Sequence, residues 1–237
     1  MSHVGFRIYT KINRPARDLV EAFRELPVPV IGDETNRLSC MDARIRPMNE
    51  APLLGVALTV RARAGDNLLL HRALDMAEPG DVIVVDGQGV LTQAVTGENM
   101  MSWAERRDVA GVVIDGAIRD VDAIRKMRMP VYAAGVQPNG PYKNGPGEIN
   151  VPVSCGGIVV YPGAIIVGDQ DGVVVVREQD APGVLERAQR RQQKEFATRE
   201  AIAAGTYDRS SYSEDALRGL GCEIVDEAWS DAHHTRG

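Results

Sequence analysis

The chain has 237 residues, of which 44% are hydrophobic and 25% are charged, and its formal net charge is −6. This length suffices for a full hydrophobic core, and the composition is ordinary for a soluble globular protein. The negative charge argues against non-specific nucleic-acid binding, which needs a basic face, so we expect no nucleic-acid partner.

The first ten residues lack the apolar centre of a signal peptide, and no apolar run approaches the roughly 20 residues of a membrane span. We therefore expect a cytoplasmic protein that makes no membrane contact. Cys40, Cys155 and Cys222 are widely spaced and form no Cys-x-x-Cys motif or Cys/His cluster. They are expected to be reduced thiols and not zinc ligands.

The N-terminal elements follow from apolar periodicity and from turn residues. Residues 16–26 place their Leu, Val and Phe side chains on one face, which predicts a helix that ends at Pro27. Residues 30–35 are predicted as a short strand with a capped turn. Residues 55–62 alternate in part between apolar and polar side chains and are predicted as a longer strand.

A second helix is predicted over about residues 68–76, where Asp66 and Asn67 can cap its start. His71 lies within this helix. A single histidine in a helix is commonly a packing or surface residue, and the alternative is that His71 lies near a functional site.

Two apolar strands end in the same Asp-Gly pair. Residues 82–87 and 112–116 both read as β-branched runs closed by Asp-Gly, and a predicted helix separates them. Such strands are expected to be parallel neighbours, which would bring both Asp-Gly ends to one edge of the sheet.

The helix between these strands starts in the segment 96–100, which reads Thr-Gly-Glu-Asn-Met. One interpretation is a plain helix start with Thr96 as the cap. The other is that successive backbone amides at this helix terminus bind a carboxylate or a phosphate.

Arg119 and Asp120 follow the second Asp-Gly strand, at the point where the strand passes into a helix. This is the usual position of a ligand site in an α/β sheet. Asp120 could simply cap the helix by accepting backbone N–H bonds. Arg119 has no comparable structural role, because a helix N-terminus is already electropositive, so an anionic ligand or partner better explains a cation there.

The C-terminal half contains a strand near residues 130–133 and a loop over residues 137–147 that is expected to border the site. Three close strands are then predicted as a meander. A helix over about residues 183–204 has an almost wholly polar middle, which favours contact with another subunit or with solvent. Residues 231–237 are expected to form a frayed tail.

Taken together, several motifs occur in a fixed order and resemble the RraA-like family over about residues 30–176. This family includes class II pyruvate aldolases, which act on 4-hydroxy-4-methyl-2-oxoglutarate and 4-carboxy-4-hydroxy-2-oxoadipate, and the regulator of ribonuclease E activity. The motifs are PGDVIVVDG (79–87), GEN (97–99), DGAIRD (115–120), PVYA (130–133), GG (156–157) and PGAIIVGDQDGV (162–173).

The resemblance implies an α/β architecture with α/β/β/α layers of the swivelling-domain type and a long C-terminal helical extension. It implies a catalytic domain over residues 1–180 and a C-terminal extension over residues 181–237 that contacts a neighbouring subunit. A homotrimer, or a homohexamer made of two trimers, is the expected assembly.

The resemblance also assigns roles at the strand-to-helix junction. Arg119 would bind the keto acid and stabilise an enolate, and Asp120 would hold a divalent metal, Mg²⁺ or Mn²⁺, largely through waters. Glu98 would bind a metal water, where the family more typically has an Asp-containing loop. Gly97 and the amides of Asn99 and Met100 would hold the pyruvyl carboxylate.

A C-terminal acid from a neighbouring subunit completes the site of this family. Glu195 is the candidate, and Glu200 is the alternative. The segment 205–212 departs from the Gly-Asp-Tyr-like continuation of related aldolases.

The function implied is a metal-dependent lyase that cleaves a short 2-oxo acid to pyruvate, by retro-aldol cleavage or by oxaloacetate decarboxylation. The alternative is a non-catalytic, protein-binding regulator. A methyltransferase interpretation has no support, because no glycine-rich nucleotide fingerprint follows the first strand.

Overall fold

A computed structural model describes residues 3–229 of the chain. The strands are β1 (Phe6–Ile8), β2 (Arg46–Pro47), β3 (Leu53–Ala62), β4 (Asp81–Thr96), β5 (Gly111–Ile118), β6 (Val131–Val136), β7 (Gly147–Ile149), β8 (Val153–Cys155), β9 (Ile158–Val160), β10 (Ile165–Asp169) and β11 (Gly172–Val176). The helices are α1 (Arg17–Glu21), α2 (Val28–Glu34), α3 (Leu68–Met76), α4 (Glu98–Arg106), α5 (Val121–Ile124), α6 (Ala181–Ala203) and α7 (Glu214–Gly219).

The chain divides into two compact units, Met1–Gln192 and Gln193–Gly237. The first unit contains all the strands described. In the second unit, the end of α6 is followed by the short helix α7. The predicted contact of the C-terminal segment with a neighbouring subunit stays a prediction, and the predicted tail over residues 231–237 lies outside the described residues.

The central sheet runs in the order β1-β7-β3-β4-β5-β6-β2, and β10 joins it by pairing with β3. The strands β3, β4, β5 and β6 are parallel neighbours, and α3, α4 and α5 connect them in turn. Every residue of β5 is buried, as expected for a parallel strand that is covered on both faces. The predicted parallel pairing is confirmed, with Asp86 opposite Asp115.

Three apolar clusters lie between the layers. One packs α3, α4 and α5 against the sheet. The second joins the opposite face of the sheet to β8, β9 and the β10–β11 pair. The third packs α1, α2 and the start of α6 against β10 and β11. The predicted layered α/β fold with a C-terminal helix is confirmed.

One predicted strand is wrong. Residues 30–35 belong to helix α2 and its C-cap, although this segment is rich in β-branched residues. Pro27 is its N-cap residue and Pro29 lies in its first turn, where the fixed proline φ favours a helix start. Val28, Val30 and Ile31 are buried against neighbouring elements, so packing decides the structure here.

The Asp-Gly pairs do not end their strands. β5 continues through Asp115 and Gly116 to Ile118, and β4 continues with register shifts to Thr96. Asp115 is buried in the sheet, where it accepts hydrogen bonds from Arg44 (2.7 Å) and from the Gly156 amide (2.9 Å). Its role is therefore to join the sheet to neighbouring segments.

The predicted meander is correct only in part. β10 and β11 form an antiparallel pair, but β9 pairs with β8 in a separate two-stranded sheet. Among the residues described, no helix is long and apolar enough to span a membrane.

Candidate active site

The candidate site lies where β4 and β5 pass into the helices that follow them. β4 ends at Thr96 and α4 begins at Glu98, while β5 ends at Ile118 and α5 begins at Val121. The Arg119 amide donates a hydrogen bond to the Thr96 carbonyl oxygen (3.0 Å). This bond joins the two strand ends, so the Arg119–Asp120 pair lies beside the start of α4.

Asp120 has an unusual backbone conformation and an unexpected partner. Its φ is 59° and its ψ is 37°, which is the left-handed region that Asp and Asn tolerate better than most residues. Its side chain makes no capping hydrogen bond to α5. Oδ2 instead accepts a hydrogen bond from the Glu98 amide (3.1 Å), the first residue of α4. The interpretation in which the Asp120 side chain caps its own helix is therefore wrong.

Arg119 lies close to this carboxylate. Its Nε is 3.6 Å from Asp120 Oδ2, and the two side chains are 46% and 43% exposed. Both groups therefore remain accessible to a small ligand, and the pair is not a buried structural ion pair.

Gly97 is the N-cap residue of α4, where the sequence suggested Thr96. A Cβ atom at Gly97 would collide with Asp120 Oδ2 and would lie 3.0 Å from Arg119 Cγ. Gly97 is buried beneath both side chains. The absence of a side chain at this position therefore allows the Arg-Asp pair to approach the helix start.

Gly97→Ala is expected to displace the Asp120 carboxylate, because the new methyl group overlaps its oxygen. We expect the free energy of unfolding to fall by only about 1 kcal/mol, because the half-exposed carboxylate can move away and loses one hydrogen bond, from the Glu98 amide, and we expect ligand binding to weaken. Thermal unfolding and ligand titration would measure the two effects. Gly219→Ala, at a position with open space around its Cβ, is the control. Unchanged binding in the Gly97 variant would contradict this account of the glycine.

The first turn of α4 presents backbone donors. The first amide that bonds within the helix is that of Met101, which donates to the Gly97 carbonyl oxygen (3.1 Å). The amides of Asn99 and Met100 precede it, so they have no acceptor inside the helix. A helix N-terminus of this kind favours an anion. The helix predicted to start in this segment is confirmed, with Gly97 and not Thr96 as its cap residue, and the amide-cradle interpretation fits this geometry.

A cavity of about 190 Å³ opens at this junction. It brings together the predicted residues of the Arg-Asp pair and the α4 start, and it adds side chains from α3 and from the loop between β6 and β7. Its lining residues are Asn67, His71, Thr96, Gly97, Asn99, Met100, Arg119, Asp120, Pro141 and Lys143.

Two polar lining residues, Asn67 and Lys143, were missed by sequence reasoning, which read Asn67 as a helix cap. Asn67 is 2% exposed, and its Nδ2 donates to the Val95 carbonyl oxygen (3.0 Å). Its Oδ1 has no hydrogen-bond partner among the described residues, and neither does the buried Thr96 Oγ1. Buried polar atoms of this kind are normally paired, so both are available to a ligand or to water.

His71 lines the cavity, so it lies near the candidate site. Partial burial lowers its pKa, the charge of Lys143 lowers it further, and Asp75 opposes this shift. The imidazole therefore favours its neutral form at neutral pH, and the fixed positive charges of the cavity are those of Arg119 and Lys143.

Among the described residues, the acidic side chains do not converge on one point as the ligands of a closed metal site would. Within residues 3–229, no group of three or more His, Cys, Asp or Glu side chains is arranged to hold a metal ion. Glu98 is exposed at the start of α4. Its chain neighbours Gly97 and Asn99 line the cavity. All the residues that line the cavity belong to the first unit, whereas Glu195 and Glu200 belong to the second unit.

The fold and the site together define an α/β protein with a cavity at the carboxyl ends of two parallel strands, lined by two cationic side chains and by the N-terminus of α4. The family model for RraA-like proteins, described as Aldolase/RraA, matches residues 17–175. The chain therefore belongs to the Aldolase/RraA family.

Similar proteins include one named as an aldolase, one described as uncharacterized and one described as a member of the RraA family. A putative 4-hydroxy-4-methyl-2-oxoglutarate aldolase of Halalkalibacterium halodurans is 38% identical over 201 residues, which cover 84% of this chain and 96% of that protein. The crystal structure of an uncharacterized protein from Pseudomonas syringae matches with a TM-score of 0.74 and 26% identity, over 81% of this chain and 96% of that one. Streptomyces coelicolor RraAS2, described as an unusual member of the RNase ES inhibitor RraA family, matches with a TM-score of 0.71 and 26% identity, over 79% and 99%.

Proposed function

We propose that this protein is a lyase that cleaves a carbon–carbon bond of a short 2-oxo acid and releases pyruvate through an enolate. The observation that carries this proposal is the meeting of Arg119, Asp120 and the α4 N-terminus in one cavity. The similarity to a relative named as an aldolase supports the reaction class.

The cavity suits an anionic keto acid. The Asn99 and Met100 amides would bind the carboxylate next to the keto group, and the Arg119 guanidinium would lie near the keto oxygen. Lys143 would bind a second carboxylate, such as that of oxaloacetate or of 4-hydroxy-4-methyl-2-oxoglutarate. A cavity with two fixed cations therefore favours dicarboxylate substrates over pyruvate itself.

The proposal includes a divalent cation, Mg²⁺ or Mn²⁺. The donor set fits such an ion, because Mg²⁺ keeps several waters and needs only one or two protein carboxylates. Asp120 would hold the ion, with Glu98 nearby, and the accessibility of both side chains agrees with this role. When bound, the ion would supply positive charge that stabilises the enolate oxygen.

In the retro-aldol reaction, a base removes the proton of the C4 hydroxyl group, and the bond between C3 and C4 breaks. C4 becomes a carbonyl carbon, the electron pair passes into the enolate of pyruvate, and a proton returned to C3 completes the product. Glu98 is a candidate base. Glu195 of a neighbouring copy, with Glu200 as the alternative, is the other candidate and would require a homotrimer or homohexamer.

Oxaloacetate decarboxylation passes through the same enolate, but carbon dioxide leaves without removal of a hydroxyl proton. Loss of the base should therefore depress cleavage of hydroxylated substrates more than decarboxylation. Stabilisation of the enolate by Arg119 is common to both reactions.

The proposal is tested by measuring pyruvate release from oxaloacetate and from 4-hydroxy-4-methyl-2-oxoglutarate. We expect release with added Mg²⁺ or Mn²⁺, and we expect EDTA to abolish it in a way that fresh metal reverses. Release that EDTA leaves unchanged would contradict the metal requirement. A folded protein that is inactive with both substrates and both metals would contradict the lyase.

A protein-binding regulator is the second candidate, and the structural similarity to an RraA protein favours it. That match uses 79% of this chain and 99% of the RraA chain, so part of this chain has no counterpart in the RraA structure. Co-purification with a ribonuclease, together with inhibition of RNA cleavage by the purified protein, would support this candidate in place of the lyase.

A further inference from the structure

The loop that carries Lys143 is fixed to the start of α3 by a set of backbone contacts. The amide of Tyr142 donates to the Gly65 carbonyl oxygen (2.8 Å), and the amide of Asn67 donates to the Tyr142 carbonyl oxygen (3.0 Å). We call residues 141–145 the Lys143 loop. Two of its members, Pro141 and Lys143, line the cavity.

Asp66 lies at the centre of this junction. Its Oδ2 accepts hydrogen bonds from the amides of Asn144 (2.7 Å) and Gly145 (2.9 Å), while its Oδ1 accepts one from the amide of Leu68 (2.9 Å). Its carboxylate therefore joins the Lys143 loop to the first turn of α3, the helix that carries His71.

Asp66 is 2% exposed, and the salt bridges found within residues 3–229 do not include it. Backbone amides therefore compensate for the burial of its carboxylate. Hydrogen bonds from N–H groups to an ionised acceptor are about twice as strong as neutral ones. A buried carboxylate held in this way is well suited to fix the position of a loop.

We propose that Asp66 is a positioning residue for substrate binding, which acts by holding the Lys143 ammonium in the cavity. The inference rests on the proposed function for its substrate, a 2-oxo dicarboxylate. Asp66 itself is not among the residues that line the cavity. It fixes the Lys143 loop to the start of α3. The loop bears the cation that would bind the second carboxylate, and the start of α3 contributes Asn67 to the cavity.

Asp66→Asn tests the proposal, because the amide keeps the size of the side chain but has only one oxygen acceptor. The variant cannot satisfy both the loop amides and the α3 amide. Asp169→Asn is the matched control, since Asp169 similarly accepts hydrogen bonds from the amides of Val28 (3.0 Å) and Asp171 (2.9 Å) but does not line the cavity.

The first measurement is the rate of tryptic cleavage after Lys143 in the native full-length protein. We expect faster cleavage in Asp66→Asn and an unchanged rate in Asp169→Asn. This readout needs no activity, so it remains informative if the protein is not a lyase. An unchanged rate in Asp66→Asn would overturn the role of Asp66 in holding the loop.

The second measurement is the split between KM and kcat for 4-hydroxy-4-methyl-2-oxoglutarate. We expect KM to rise on the order of tenfold in Asp66→Asn with kcat largely retained, because Lys143 would contact the second carboxylate equally in the bound substrate and in the transition state. Adding Asp66→Asn to Lys143→Met should raise KM no further than Lys143→Met alone. Additive effects, or a KM equal to that of the wild type, would overturn the proposal.

The outcomes separate this inference from the lyase proposal. An inactive wild-type protein would contradict the lyase and with it the substrate role of Asp66, whatever the tryptic result. An active wild-type protein with an unaltered KM in Asp66→Asn would contradict only the inference. Thermal unfolding of Asp66→Asn and Asp169→Asn would show whether a general loss of stability explains either change.

Discussion

Arg119→Ala is expected to lower kcat/KM for pyruvate release by about a hundredfold to a thousandfold, the usual effect of removing a group that stabilises an oxyanion. The guanidinium is half-exposed, and its described ionic contact is with the neighbouring Asp120 at 3.6 Å. Its loss should therefore leave the free energy of unfolding nearly unchanged.

The kinetic constants distinguish two roles for Arg119. If the guanidinium stabilises the enolate, kcat falls, because the interaction strengthens as charge develops on the keto oxygen. If it binds only the carboxylate of the substrate, KM rises and kcat is preserved. Arg119→Lys should rescue little of the loss, because an ammonium group lacks the planar array of donors.

Arg125→Ala is the matched control for this experiment. Arg125 is the C-cap residue of α5, the short helix that begins just after Asp120, and it forms an exposed ion pair with Asp122 (3.3 Å). Its removal should change neither kinetic constant. A folded Arg119→Ala protein that releases pyruvate at the wild-type rate would show that this arginine does not take part in the reaction.

The elements that the sequence predicted well are those with a strong local pattern. Helix α3 was predicted with its observed bounds, and the apolar runs of β4 and β5 identified two parallel neighbours. These patterns record which side chains face the core, and a parallel strand buried on both faces has few alternatives. The strand predicted for the α2 segment was wrong because a short β-branched run is compatible with either a strand or a buried helix.

The sequence predicted only part of the lining of the candidate site. The Arg-Asp pair and the α4 start lie next to a strand-to-helix junction, so local sequence indicated them. Lys143 lies in the loop between β6 and β7, and its position depends on contacts with Asp66, 77 residues earlier by sequence number. Such contacts between distant residues leave no periodic signal in a single sequence, although the loop itself was expected to border the site.

Asp120 shows the same limit at a single residue. The sequence suggested a helix cap, and the carboxylate does accept a backbone N–H bond, but from the helix that precedes it by about 20 residues. The contact of this carboxylate with the start of α4 has no local signal, because it depends on the pairing of β4 and β5.

Asp120→Asn and Asp120→Ala are expected to lose activity alike but to differ in stability. Asn tolerates the left-handed backbone and its side-chain oxygen can still accept from the Glu98 amide, so the fold should be retained. Ala strains this conformation by about 1–2 kcal/mol and removes an acceptor that contributes about 1 kcal/mol. Thermal unfolding of the two variants would measure this difference.

Activity separates the structural role of Asp120 from its chemical role. Both variants remove the negative charge that would hold Mg²⁺ or Mn²⁺, so we expect pyruvate release to fall by about a hundredfold or more. Added metal should no longer stimulate the remaining activity. Asp122→Asn, which changes a carboxylate of the same helix that is 91% exposed, should behave as the wild type.

The Asn variant decides between the two interpretations, because it alone keeps the hydrogen bond to α4 while losing the charge. Wild-type activity in Asp120→Asn, together with instability in Asp120→Ala, would reduce Asp120 to a structural cap of α4. A stable and inactive Asp120→Asn protein would instead place the required charge at this residue, since its backbone and its neutral hydrogen bond would both be preserved.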